Sequence, residues 1–394
     1  MSAAAERTDW RGVCVAFLAG VAAATALAKA SPGALDLRTS MQLSLAQIGW
    51  VMSAGAVATA VLGVFSGQLS HRFGAARMLW AGLLVLTVAG LLSALAANAG
   101  LLLAGRALEG IGVIFITVAA PTLIAVLARP ADFGMAMGVW ALWMPAGSLL
   151  IFAAAPLLLD LGGWRPLWLS SAVAALAVLA LLPQLRGAAR QQAPGQLAFG
   201  ALAAPGPWVL AVIFFCFSFQ FFSLFTFLPT LLAERLGVSD QAASLLTALV
   251  PLFILPGNLL GGYAVQRGVP PAWVIGLPPL VLIPIAITVV NLEQPGAGAM
   301  AVLAGYGFVL GITPTGIFAQ APRLARSRAE TGPILGLALS GQGFGILCGP
   351  PLAGYVVERT GGWGTSTAII VAVLLTLSAG SAVLAHFARA LPQD

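Results

Sequence analysis

Gly63-Val64-Phe65-Ser66-Gly67-Gln68-Leu69-Ser70-His71-Arg72-Phe73-Gly74 returns in outline 194 positions later, as Gly257-x-x-x-Gly261 followed by Gly268. Two further pairs keep the same order. Ala155-Pro156-Leu157 resembles Pro350-Pro351-Leu352, and Gly162-Gly163-Trp164 resembles Gly361-Gly362-Trp363. A duplication of this kind points to two related halves. The longest polar break, around Arg190, Gln191, Gln192, Pro194 and Gly195, falls between them. The expected organisation is therefore an N-terminal unit over 1–186, a linker over 187–206 and a C-terminal unit over 207–394.

Each half reads as a row of apolar runs. Hydrophobic residues make up 60% of the 394 positions and charged residues 8%, where a soluble domain carries about 25% charged residues. So little polar side chain cannot cover a water-soluble globule. Runs long enough to cross a bilayer, which takes about 20 apolar residues, are expected at 11–37, 45–69, 77–97, 100–127, 133–159 and 166–185 in the first half. In the second they are expected at 207–233, 241–265, 271–291, 297–320, 332–357 and 364–388. Ala28-Lys29-Ala30 has the small-x-small form of a signal-peptide cleavage site, but the length of the first run and the eleven after it favour an uncleaved first helix. The fold class expected is an all-α membrane protein with 12 transmembrane helices in two pseudo-symmetric six-helix bundles.

The cations give the orientation. With a cytoplasmic N-terminus, twelve arginines fall in inside loops and tails, and four, Arg38, Arg165, Arg235 and Arg359, fall outside. An excess of Lys and Arg on the cytoplasmic side places both termini inside. A miscounted span would exchange all later loops, so the consistent asymmetry also supports an even number.

Other function classes fit poorly. The formal charge of +6 is scattered singly, not gathered on a face with stacking aromatics as nucleic-acid binding requires. Cys14, Cys216 and Cys348 lie singly in apolar runs, and His71 and His386 are the only histidines, which leaves no metal-ligand spacing. A membrane enzyme would need a convergent catalytic set. A channel or receptor stays open as an alternative of another class. No cofactor is expected.

The chain resembles the major facilitator superfamily over essentially its whole length. Gly67-Gln68-Leu69-Ser70-His71-Arg72-Phe73-Gly74 resembles that family's cytoplasmic loop motif, with Arg77 as what remains of its basic pair after Ala75-Ala76. Arg106-Ala107-Leu108-Glu109-Gly110-Ile111-Gly112 resembles its fourth-span motif, and Gly163-Trp164-Arg165 a turn frequent before the sixth span. The loop motif normally carries an Asp where His71 stands. In the family that acid helps latch the two halves, so the resemblance implies a weaker or pH-dependent latch; the alternative is simple drift in a solvated loop. Gly138-Val139-Trp140-Ala141-Leu142-Trp143-Met144-Pro145-Ala146-Gly147 is similar to cyanate and nitroimidazole-type carriers. It also partly resembles the Gly-Pro-Gly motif of exporters, with Met144-Pro145 in place of the Gly-Pro pair, so Pro145 and Gly147 are conformational candidates without fixing a direction.

Intramembrane charges point to mechanism. Lys29 is the sole lysine and lies inside the first run, where a cation costs roughly 2.5–3.5 kcal/mol on insertion scales. It is expected to face a cavity, or else to meet the outer interface if the first span ends early. Arg106 and Glu109, three apart, share a helix face and pair. One reading is a structural ion pair; the other has Arg106 bind an anionic group while Glu109 exchanges a proton. In the family spans one, four, seven and ten line the path, which implies that Lys29, Arg106 and Glu109 meet in one cavity; the expected substrate residues are Lys29, Arg106, Trp143, Gln220 and Tyr306. The eight phenylalanines of 214–227 point in all directions at 100° per residue, so most face lipid or neighbouring helices. Gly332, Gly336, Gly341, Gly345 and Gly349 read as one close-packing stripe on a sliding helix.

The expected function is a secondary transporter working by alternating access on a small organic solute, anionic or polar-aromatic, in the inner membrane. Export of a drug, antibiotic or siderophore is the alternative. The expected partners are a small-molecule substrate and the lipid bilayer, with protons as an option; the expected assembly is a monomer, and no nucleic acid is involved.

Overall fold

In hydrocarbon every backbone N–H and C=O must find a partner within the protein, which a helix achieves by itself. The structure, a computed structural model, describes residues 8–65, 74–129, 132–182, 199–326 and 328–389, and among them all regular structure is helical. Eleven segments among the described residues are long and apolar enough to cross a membrane. The apolar helix Arg165–Leu181, 17 residues long, fills the sixth place and covers about 25 Å at 1.5 Å per residue. The fold is thus an all-α membrane fold of two six-helix bundles.

The first bundle contains α1 (Trp10–Ala28), α2 (Ala34–Ser40), α3 (Leu45–Ser53), α4 (Val57–Leu62), α5 (Ala75–Ala94), α6 (Ala99–Leu127), α7 (Phe133–Ala141), α8 (Trp143–Gly162) and α9 (Arg165–Leu181). The second contains α10 (Pro205–Phe225), α11 (Leu228–Leu236), α12 (Asp240–Gln266), α13 (Pro271–Val290), α14 (Ala297–Leu324), α15 (Arg328–Thr360) and α16 (Gly364–Arg389). Local signals set several starts. Asp9 caps α1 by accepting from the Gly12 amide at 3.0 Å, and Ser44 with Gln47 forms a capping box on α3, the reciprocal arrangement that satisfies two orphan amides.

Four expected spans are broken rather than continuous, among them the fifth, expected over 133–159, which turns at Leu142 between α7 and α8. The first, expected over 11–37, stops at Ala28, turns through Lys29–Gly33 and resumes as α2. The second passes through a 3-10 turn at Ala54–Ala56 between α3 and α4. The seventh breaks after Phe225 and resumes as α11. The breaks in the second and seventh spans lie in uniformly apolar sequence, whereas Lys29, Ser31, Pro32 and Gly33 mark the first.

Glycines let helices meet backbone to backbone. A methyl on Gly147 would stand 2.5 Å from the Ala24 Cβ, which shows how closely α8 lies on α1. The stripe expected on α15 divides between two faces: Gly341, Gly345 and Gly349 lie against Ala211, Phe215 and Phe219 of α10, whereas Gly336 lies against Gly63 and Val64 of the second span. Here α15 joins the bundles, and α8 does the same against α12 through the Ser244 hydroxyl and the Phe152 carbonyl, 3.2 Å apart. Seven of the eight phenylalanines between 214 and 227 are buried, so they pack on neighbouring helices rather than facing lipid.

Candidate functional site

The breaks in the first two spans create the chemistry at the centre of the first bundle. A helix end leaves its last carbonyls without amide partners, and inside a membrane these need other donors. Arg106, on α6, supplies them. Its Nη1 donates to the Ala26 carbonyl at 2.6 Å and its Nη2 to that of Leu27 at 3.4 Å, both in the last turn of α1. Its Nε donates to the Val51 carbonyl at 2.9 Å and its Nη2 to that of Met52 at 3.4 Å, both in the last turn of α3. The remaining Nη1 hydrogen goes to Glu109 Oε2 at 2.6 Å. All five guanidinium donors are committed, and Arg106 stitches two broken helices to α6.

Glu109 is shared. Its Oε1 accepts from Lys29 Nζ at 2.9 Å while Oε2 accepts from Arg106, so each oxygen has its own cation. Lys29 also donates to Ser171 Oγ at 2.7 Å, and Ser171 passes its hydrogen to the Trp168 carbonyl at 2.8 Å. The ammonium lies 5.2 Å from the Trp168 ring centroid, within cation–π reach. Trp168 and Ser171 stand three apart on α9 and so share a face. The Trp168 indole N–H is buried without a hydrogen-bond partner among the described residues. Lys29 and Arg106 are 0% exposed and Glu109 1%, so two cations and one anion are held away from water.

Lys29 is thus neither at an interface with water nor snorkelling, although its helix does end early. It sits in the turn after α1, two residues before Ser31. The Ser31 hydroxyl donates to the carbonyls of Phe225 and Thr226 in the other bundle, each at 2.9 Å. The charged cluster therefore adjoins the contact between the halves.

The other expected substrate residues are placed apart from this cluster. Gln220 and Tyr306 find each other, with the Tyr306 hydroxyl donating to Gln220 Oε1 at 3.3 Å, both fully buried. Trp143 stacks on Trp140 at 5.6 Å between ring centroids, and the pair closes over Gly20 of α1. Pro145 and Gly147 are buried in α8. Gly74 opens α5 at φ +80°, where glycine is favoured, and Arg77 is exposed in its first turn. Gly67, His71 and Arg72 lie outside the described residues, as does most of the expected linker.

Ser171, Trp168 and Ser31 are the partners that sequence reasoning passed over. The available signal was the Ser170-Ser171 pair in an otherwise apolar sixth span, together with two tryptophans, Trp164 and Trp168, one turn apart.

The Major Facilitator Superfamily family model matches residues 14–334. The chain is 28% identical over 350 residues to the 2-nitroimidazole transporter of Escherichia coli (strain K12), covering 85% of each chain. It is 27% identical over 397 residues to the 3-(3-hydroxy-phenyl)propionate transporter of the same organism, covering 96% of this chain and 93% of the other. Among solved structures, a bacterial homolog of the human lysosomal transporter Spinster superposes with a TM-score of 0.75 at 18% identity, over 96% of both chains. With the duplicated bundles, the broken spans and the match over most of its length, the chain belongs to the major facilitator superfamily of membrane transporters.

Proposed function

We propose that this chain is a secondary carrier that moves a small organic anion with an aromatic body across the inner membrane by alternating access. The observation that carries the reading is the buried charge imbalance: Lys29 and Arg106 against Glu109 alone. An uncompensated buried cation is costly, and an arriving carboxylate offsets it. Arg106 has no donor to spare, so Lys29 is the docking cation, with the unpartnered Trp168 N–H and its ring beside it. Gln220 and Tyr306 offer a neutral polar pair from the other half. Two relatives named for an aromatic carboxylate and a nitroaromatic ring support this class.

On this reading the bundles over 1–186 and 207–394 rock about the Ser31 contact, with both termini cytoplasmic, and the direction of net transport follows the gradients imposed. The test is counterflow of labelled 3-(3-hydroxyphenyl)propionate into proteoliposomes preloaded with the same acid. The expected result is saturable, transient accumulation that related aromatic acids suppress and hydrophobic cations do not. Accumulation indistinguishable from protein-free vesicles across a panel of such acids would refute it.

A further inference from the structure

Charge accounting in the Lys29–Glu109–Arg106 cluster decides which group carries a proton. With all three ionised the buried sum is +1. An empty carrier must relieve it. Arg106 cannot lose a proton under physiological conditions. Adding a proton to Glu109 would raise the buried charge to +2 and remove the acceptor that both cations share. Removing one proton from Lys29 leaves a neutral Arg106–Glu109 pair and a neutral amine that still donates to Ser171 or Glu109.

We infer that Lys29 is the proton carrier of this transporter, and that one monoanion and one proton move together, electroneutrally. The inference rests on the anion-carrier reading above, and it departs from the sequence expectation that gave the proton to Glu109. When the anion arrives, Lys29 is an ammonium and the cluster plus ligand sums to zero. As the anion leaves, an Nζ–H bond breaks, the nitrogen keeps the electron pair, and the proton departs to water on the same side. Nitrogen then takes a proton from water on the opposite side when the next anion binds there. Both the loaded and the empty carrier reorient with no net buried charge, which is the condition for crossing a low-dielectric layer cheaply.

No other described ionisable group interferes. From α6, Glu109 and Arg106 face Lys29. The other helices packed on α1 carry theirs near their ends: Asp160 of α8 accepts from Gln241, Arg165 of α9 bonds the Ala96 carbonyl and lies on Trp164, and Arg77 of α5 is exposed. From the second bundle, Ser31 meets backbone carbonyls only.

The chain's single lysine makes the test direct, because biosynthetic ε-carbon-13 lysine labelling gives one side-chain signal that distinguishes amine from ammonium. The full-length protein in nanodiscs is measured between about pH 6 and about pH 9, spanning the range where ordinary lysine stays charged, with and without 3-(3-hydroxyphenyl)propionate. The expected result is an amine population in the free protein that the acid converts to ammonium. A signal that stays ammonium throughout in the free protein overturns the inference. Conversion with pH that the acid leaves unchanged supports Lys29 as the proton site while refuting the anion reading. In proteoliposomes, Lys29→Arg, with its fixed charge, should keep acid exchange and lose the accompanying proton flux; parental proton flux in that variant would also overturn it.

Discussion

Ser31 and Phe225 stand 194 positions apart, the interval of the internal repeat, and they touch: the Ser31 hydroxyl donates to the Phe225 carbonyl at 2.9 Å. Each half therefore meets its own counterpart position in the other. Both positions lie at the end of the long segment of a broken span, where α1 gives way to α2 and α10 to α11. The contact between the halves lies one short turn from Lys29.

Ser31→Ala removes the donor that serves both Phe225 and Thr226 carbonyls. A buried acceptor left without a partner costs about 1–3 kcal/mol, and here the loss falls on the contact between halves. The variant is expected to unfold at a lower temperature and to label faster at a cysteine placed in the turn after α1. Parental labelling and melting would show that the contact carries no weight.

Arg106→Lys keeps the charge and loses the fork. Lysine has three donors where the guanidinium uses five, so at least two of its five acceptors, the carbonyls of Ala26, Leu27, Val51 and Met52 and the Glu109 carboxylate, are orphaned. Breaking a buried charged network of this kind costs about 3–5 kcal/mol. Lys29→Met, by contrast, leaves the Arg106–Glu109 pair intact and is expected to melt at or above the parental temperature. The ordering of the two midpoints in detergent checks the distinction between a structural stitch and an exchangeable cation; Arg106→Lys melting like the parent would contradict it.

At the end of α6, Asp132 accepts from the Thr8 hydroxyl and from Arg129 Nε at 3.0 Å, and Asp9 donates its amide to the Leu127 carbonyl at 3.0 Å. The Thr8 hydrogen bond first, and Arg129 second, hold the Asp132 carboxyl below the usual carboxylate range. A carboxyl lowered in the folded state contributes stability that is present above its unfolded value of about 3.9 and is lost as pH falls through the folded value. Asp132→Asn should therefore melt slightly below the parent at neutral pH, and the gap should narrow progressively on acidification below about pH 3.9. The group is exposed, so the effect is small and weakens with salt. A gap that widens in acid would refute this assignment.

Fold and site differ in how much the sequence discloses. Twelve apolar runs, the duplicated Gly63 and Gly257 segments and the arginine asymmetry specify a membrane bundle because each is a local or periodic property. Arg106 and Glu109 are legible as partners because three residues span one helical turn. Lys29 is legible as anomalous, since a sole lysine inside an apolar run needs a reason, but its partners are 80 and 142 positions away, and no periodicity reports such a distance. The breaks after Ser53 and Phe225 escape a hydropathy reading because backbone polarity carries no side-chain signature, whereas Lys29, Ser31, Pro32 and Gly33 mark the break after Ala28. Trp143, Gln220 and Tyr306 also lie in apolar spans, yet packing sends them to other neighbours.

Lys29 as the docking cation is open to direct measurement. The measurement is binding of 3-(3-hydroxyphenyl)propionate, and of its uncharged methyl ester, to the parent and to Lys29→Met, by isothermal titration in the same nanodiscs. Truncating one partner of a buried charge pair costs about 2–5 kcal/mol, so the acid should bind the variant at least about thirty-fold more weakly, while the ester binds both proteins alike. Equal affinity of the acid for the two folded proteins would contradict the claim that Lys29 receives the substrate.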